Sequence, residues 1–167
     1  ANEYDHKALN IFYEMNDEDG ISKVCKTLGL MCITHHLYNQ AAEYLNRALD
    51  IDTRMNIRTN NNATDVAIDY MYLGLADYRK FIDTRVDSLI HQDKAKNLRA
   101  YKEFKSAGNT TIIADACKNL MCIYLRYAQN SRGDLKQKYL DSSLVFHNIG
   151  LTAVRKTNND VSKIDYL

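Results

Sequence analysis

Apolar positions recur along this chain with the period of a helix almost from end to end. Between Tyr4 and Met15 they fall at Ala8, Leu9, Phe12 and Met15. From Ile21 to His36 they fall at Ile21, Val24, Cys25, Leu28, Met31 and Cys32. Spacings of three and four residues put such side chains on one stripe of a helix, whereas a strand would alternate them across two faces. A third helix is expected over 39–54, with Ala41, Ala42, Leu45, Ala48, Leu49 and Ile51 on its stripe. Further helices are expected over 65–82, 84–106, 111–130 and 134–157, and another begins near Asp160. Polar runs separate them. Asn16-Asp17-Glu18-Asp19-Gly20 supplies side chains that cap a helix start, and Thr59 to Asp65 reads as a loop.

Composition supports an all-α fold. Six glycines and no proline in 167 residues are too few for the tight turns of a many-stranded sheet. The charges nearly cancel, 22 Lys+Arg against 21 Asp+Glu, so no clustered basic excess points to nucleic acid. The longest apolar run, Leu28 to Ile33, is about a third of the ~20 residues a membrane span needs. The first residues, Ala1-Asn2-Glu3-Tyr4-Asp5, lack the basic and apolar regions of a signal peptide. The chain starts inside a second helix of a pair and stops inside a first one, which suggests a piece of a longer array.

The helices pair, and the pairs repeat. Met15-Asn16-Asp17, Met55-Asn56, Ala107-Gly108-Asn109 and Thr157-Asn158-Asn159 each close one pair. Ile21-Ser22-Lys23-Val24 is nearly repeated by Val161-Ser162-Lys163-Ile164, and Cys25-Lys26-Thr27-Leu28 by Cys117-Lys118-Asn119-Leu120. Leu28 and Leu73 stand 45 apart, Leu73 and Leu120 stand 47 apart. A fixed period in this range signals a solenoid, in which each pair buries its apolar face against the next.

Leu28-Gly29 followed by Ala41, Leu45 and Ala48 resembles the tetratricopeptide repeat pattern. Gly29 would let the paired helices approach, Ala41 and Ala48 would keep them close, and Leu45 would fill the space between. Leu73-Gly74 reopens the pattern and Ala100 resembles its end. Leu120 and Leu140 mark a degenerate third copy, where Tyr139-Leu140-Asp141-Ser142-Ser143-Leu144 echoes Tyr44-Leu45-Asn46-Arg47-Ala48-Leu49. The chain departs from the family in lacking its closing proline and in exceeding its period of about 34 residues. The resemblance implies a right-handed superhelix of antiparallel helix pairs over 1–167: part of a repeat at 1–16, repeats at 19–56, 64–107 and 110–157, and the start of another at 160–167. In style it is similar to repeats of sensor kinases and regulators of the Bacteroides group, which would place it in the periplasm as the sensory or scaffolding part of a signalling protein.

First helices of such pairs line a concave groove. Helical spacing puts Lys23, Lys26, Leu30, Ile33 and Thr34 on that face from the first pair. The second contributes Met71, Tyr72, Leu75, Tyr78 and Arg79, and the third Lys118, Cys122, Leu125 and Arg126. The resemblance implies a peptide or protein ligand here. The ladder Lys26, Arg79, Lys118 and Arg126 suits an acidic one, Arg pairing with a carboxylate in bidentate fashion. The same charges could instead solvate an exposed face or pair with Asp77 and Asp115.

No catalytic constellation appears, so the region is read as non-catalytic and without a cofactor. The glycines are scattered, and there is no nucleophile elbow and no His-Glu-x-x-His. Asp17-Glu18-Asp19 lacks the alternating ligands of a calcium loop and reads as a solvated linker. Cys32, His35 and His36 could share a metal at i, i+3 and i+4, but a fourth ligand is missing and Cys32 lies on the apolar stripe. Cys25 and Cys32 are seven residues, about 10 Å, apart on one helix, too far for a disulfide. Cys25, Cys32, Cys117 and Cys122 are therefore expected as free thiols, which favours a reducing compartment over the periplasm. Two other readings stay open: a homodimer through uncapped ends, and a metal-binding helical domain.

Overall fold

The computed structural model describes residues 2–59, 63–108 and 110–157. Among them are seven helices and no strand: α1 (Asn2–Glu14), α2 (Glu18–Thr34), α3 (Tyr38–Thr59), α4 (Ala63–Thr84), α5 (Asp87–Ser106), α6 (Thr110–Gln129) and α7 (Gly133–Thr157). The protein is all-α, and every helix expected before Asp160 is present. The helix expected from there lies outside the described residues.

The largest difference from the sequence pattern is at the end of α3. The helix runs on to Thr59, five residues past the expected stop at Arg54. Nothing in Met55-Asn56-Ile57-Arg58 breaks a helix, and the half-buried Met55 continues the stripe of Ile51 against the core. α2 starts earlier than its apolar stripe because Asp17 caps it. The Asp17 carboxylate accepts the Gly20 amide at 3.0 Å.

Packing divides the chain into two compact units, Ala1–Lys96 and Asn97–Leu167, with the division inside α5. In the first unit α1 packs on α2, α2 on α3 and α3 on α4, and α2 also meets α4. Leu9, Ile21, Cys25, Leu28, Ala48 and Ile51 form one core cluster. Ile33, Ala41, Leu45, Leu73 and Ala76 form a second, which joins α2, α3 and α4. Leu28, Gly29, Ala41, Leu45, Ala48, Leu73 and Gly74 are all buried. Gly29 is there because nothing larger fits: a Cβ at this position would sit 2.6 Å from Cγ of the fully buried Leu45.

In the second unit α6 packs on α7. Phe104, Leu120, Cys117 and Val154 are fully buried, while Leu140 is half-buried. An aromatic cluster adds to this core. The Tyr124 and Phe146 rings stack at 5.7 Å, Tyr127 and Tyr139 lie 5.2 Å apart, and Tyr101 meets Phe146 edge-on at 5.7 Å. Among the described residues no helix is long and apolar enough to cross a membrane.

Candidate binding groove between α2 and α4

The ends of α2 and α4 come together around the turn that follows α2. That turn closes as a Schellman motif. The Leu37 amide reaches back to the Cys32 carbonyl at 2.8 Å, and the His36 amide to the Ile33 carbonyl at 3.1 Å. The motif places His36 in the left-handed region, φ 61°, where glycine is the usual occupant. His36 is held there by side-chain bonds. Its Nδ1 lies 2.7 Å from Oδ2 of Asp83 in the last turn of α4 and 2.8 Å from the Tyr38 hydroxyl. The Tyr38 hydroxyl also donates to Asp83. One carboxylate thus fastens the α2–α3 turn to the end of α4.

The electrostatics follow from this arrangement. Hydrogen bonds from Tyr38 and His36 hold the Asp83 carboxyl below its ordinary range, and the nearby His36 and Arg79 charges add to the effect. Burial, together with the Asp83 charge, pushes the Tyr38 phenol up to about 12. Asp83 is therefore the anion of the group and Tyr38 stays a neutral donor at physiological pH.

A groove of about 360 Å³ opens beside this knot. Leu30 and Ile33 of α2 and Leu75 and Ile82 of α4 give it an apolar floor, and Arg79 and Asp83 stand at its rim. Arg79 is exposed, and among the described residues no carboxylate lies within ion-pair distance of its guanidinium. The Thr34 hydroxyl is spent on the Met31 carbonyl at 2.7 Å. His36 and Asp83 have the form of a base with its orienting carboxylate; of the hydroxyls that line the groove, Thr34 is bonded to the Met31 carbonyl and Tyr38 to Asp83. The arrangement is an apolar floor with the Arg79 cation and the Asp83 anion at its rim.

The structure brings some of the expected groove residues together and separates others. Leu30, Ile33, Thr34, Leu75 and Arg79 do line one groove. Lys26 does not join them. Its ammonium is 2.7 Å from Asp52, 3.1 Å from Asp65 and 3.7 Å from Asp69, with 11% of its side chain exposed. The Asp52 and Asp65 carboxylates, with the Asp69 carboxyl beside them, hold it inside the first unit, so it cannot serve as a rung of a basic ladder. Lys23 pairs with Asp19 on the surface at 2.5 Å. Asp77, considered above as a partner for the ladder, is taken by Lys96. Tyr72 and Tyr78 are half-buried, and Tyr72 packs on the core cluster of Leu45 and Leu73.

Lys118 and Arg126 belong to the second unit. They flank Cys122 one turn before and after it on α6. Their charges pull its thiol pKa down, but burial outweighs them and the thiol is raised. All four cysteines are free; Cys25 and Cys117 are buried, Cys32 is half-buried and Cys122 exposed. The Cys32, His35 and His36 trio is not assembled. Cys32 packs against the core cluster of Ile33 and Ala41, and His36 turns to Asp83. Among the described residues no group of three His, Cys, Asp or Glu side chains could hold a metal ion.

No family model, no curated protein and no solved structure matches this chain. His36, Tyr38, Ile82 and Asp83 were missed by helical spacing. His36 and Tyr38 lie in or beside a turn, where periodicity carries no information. Asp83 acts through a contact 47 residues away in sequence.

Proposed function

We propose that this chain is a non-catalytic, protein- or peptide-binding module of the tetratricopeptide kind. The observation that carries the reading is the α2–α4 groove, whose apolar floor of Leu30, Ile33, Leu75 and Ile82 ends at the exposed Arg79. First helices of adjacent pairs frame it, which is where the repeat pattern places a ligand. The ligand that fits presents an apolar side chain next to a carboxylate. The sensory or scaffolding role in a bacterial signalling protein rests on the style of the sequence alone.

An array of immobilised peptides that varies apolar and acidic positions tests the reading. Wild-type protein is expected to retain peptides that pair an aliphatic residue with an acidic one. Arg79→Glu is expected to lose them at least tenfold while keeping its helical circular dichroism. Peptide capture indifferent to both Arg79→Glu and Leu75→Asp would sink the groove as the site.

A second reading, self-association, is favoured by α1. Tyr4 and Ile11 are 77% and 54% exposed two turns apart on this helix, and Met15, in the turn just past its end, is 66% exposed. Sedimentation at several concentrations separates the two: a monomer at all of them leaves these side chains without a partner copy.

A further inference from the structure

The second unit has a groove of its own, unrelated to the expected binding face. It lies among the C-terminal end of α5, the first turn of α6 and the second half of α7, and has a volume of about 350 Å³. Tyr101, Ile113, Ile149 and Ala153 give it an apolar floor continuous with the core cluster of Ala114, Ala153 and Val154. Lys105 and Lys156 stand on its rim. Both lysines are exposed, and among the described residues neither ammonium has an ion pair or a hydrogen bond. Among the described residues no Asp or Glu lines the groove. The Thr152 hydroxyl donates to the Asn148 carbonyl of its own helix at 2.8 Å, so it does not answer the lysines.

A lysine in the last turn of a helix complements the helix dipole, which accounts for Lys105 on α5 and Lys156 on α7 taken singly. It does not account for an apolar trough between them. The positive end of α6, with no acidic residue in its first turn, adds to the same potential. An apolar trough under two uncompensated cations is the complement of an amphipathic anion. The volume lies at the small end of ligand sites, too small for a two-chain lipid. The two ammonium groups are point charges, which attract a small anionic head without fixing its orientation.

We propose that this groove binds a medium-chain aliphatic carboxylate, with its chain on Ile113, Ile149 and Ala153 and its head between Lys105 and Lys156. The proposal is independent of the α2–α4 groove.

Calorimetric titration of the full chain with sodium octanoate tests it, with sodium acetate, 1-octanol and octylammonium chloride as comparisons. Octanoate is expected to saturate one site. Each methylene buried adds up to about fourfold in affinity, so acetate is expected to bind at least a hundredfold more weakly. Octanol is expected to bind at least tenfold more weakly than octanoate, and octylammonium not measurably. Methyl resonances of Ile149 and Ala153 should move with octanoate occupancy. Lys105→Gln/Lys156→Gln changes only exposed side chains, so it should keep its helical circular dichroism and lose octanoate at least tenfold. Arg79→Glu should bind octanoate unchanged. Equal binding of octanol, undiminished octanoate binding in the double lysine variant, or loss of it in Arg79→Glu would each overturn the proposal.

Discussion

At Asp69 a single side chain sets a pH dependence for the whole first unit. Its carboxyl is fully buried, and among the described residues neither oxygen has a hydrogen-bond partner. Burial pushes its pKa from 3.8 up to about 9; Lys26 opposes this, and Asp52 and Asp65 add to it. Asp69 is thus protonated at neutral pH, while Asp52 accepts both Lys26 at 2.7 Å and the Ser22 hydroxyl at 2.8 Å. A carboxyl with a raised folded-state pKa favours folding fully below its unfolded value, near 4. That advantage fades as pH rises through about 9. Asp69→Asn cannot ionise. Its melting temperature should therefore gain on the wild type progressively between pH 4 and pH 9. A constant difference across that range would mean that Asp69 is ionised throughout. Lys26→Met is expected to act the other way, since it strands the buried Asp52 without its cation. Loss of one partner of a buried pair costs about 3–5 kcal/mol, measurable by urea unfolding at pH 7. A cost below 1 kcal/mol would place Lys26 in solvent, as a groove residue should be.

At the scale of elements, the fit of α2 on α3 turns on one missing methyl group. Gly29 faces Leu45, which is fully buried and pinned by Ala41, Ile33 and Leu73 around it. Gly29→Ala gains helix propensity, about 1 kcal/mol, yet overpacking of this kind costs about 1–3 kcal/mol. A net loss of stability is expected, and Gly29→Leu should lose more. A more stable Gly29→Ala would mean that the helices spread without penalty. This contact was legible in the sequence through the resemblance of Leu28-Gly29, Ala41, Leu45 and Ala48 to a repeat pattern. The seven helices were legible from the spacing of their apolar positions. The end of α3 was not, because Met55-Asn56 reads as the close of a pair although nothing there breaks the helix. The groove was legible in part: Leu30, Leu75 and Arg79 follow from stripe geometry. Lys26 was misplaced because spacing gives the side of a helix a residue occupies, and Asp52, Asp65 and Asp69 arrive from α3 and α4. A buried Asp on each of two apolar stripes was the signal that could have found its partners.

For the molecule as a whole, the four thiols divide into reporters of different depth. Cys122 is exposed on α6, whereas Cys25 and Cys117 have no accessible surface and sit in the cores of the first and second unit respectively. Only the thiolate reacts, so burial suppresses reaction twice, by access and by pKa. It raises the Cys25 thiol, and it pushes the Cys117 thiol up to about 12. Cys122, the exposed thiol, should therefore react first with a soluble disulfide reagent at pH 8, slowed by its own raised pKa, and Cys32 should follow more slowly. Cys25 and Cys117 should react only through opening of their own units, at least a thousandfold more slowly than in urea. Mass spectrometry of the labelled peptides against time gives each rate separately. The Cys25 rate then measures opening of the unit that carries the α2–α4 groove, and the Cys117 rate that of the unit with the lysine-rimmed groove. If octanoate occupies the latter, it should slow Cys117 and leave Cys25 unchanged, because a ligand protects only the unit it binds when that unit opens by itself. Fast labelling of Cys25 or Cys117 in the native protein would contradict the buried cores on which both grooves are built.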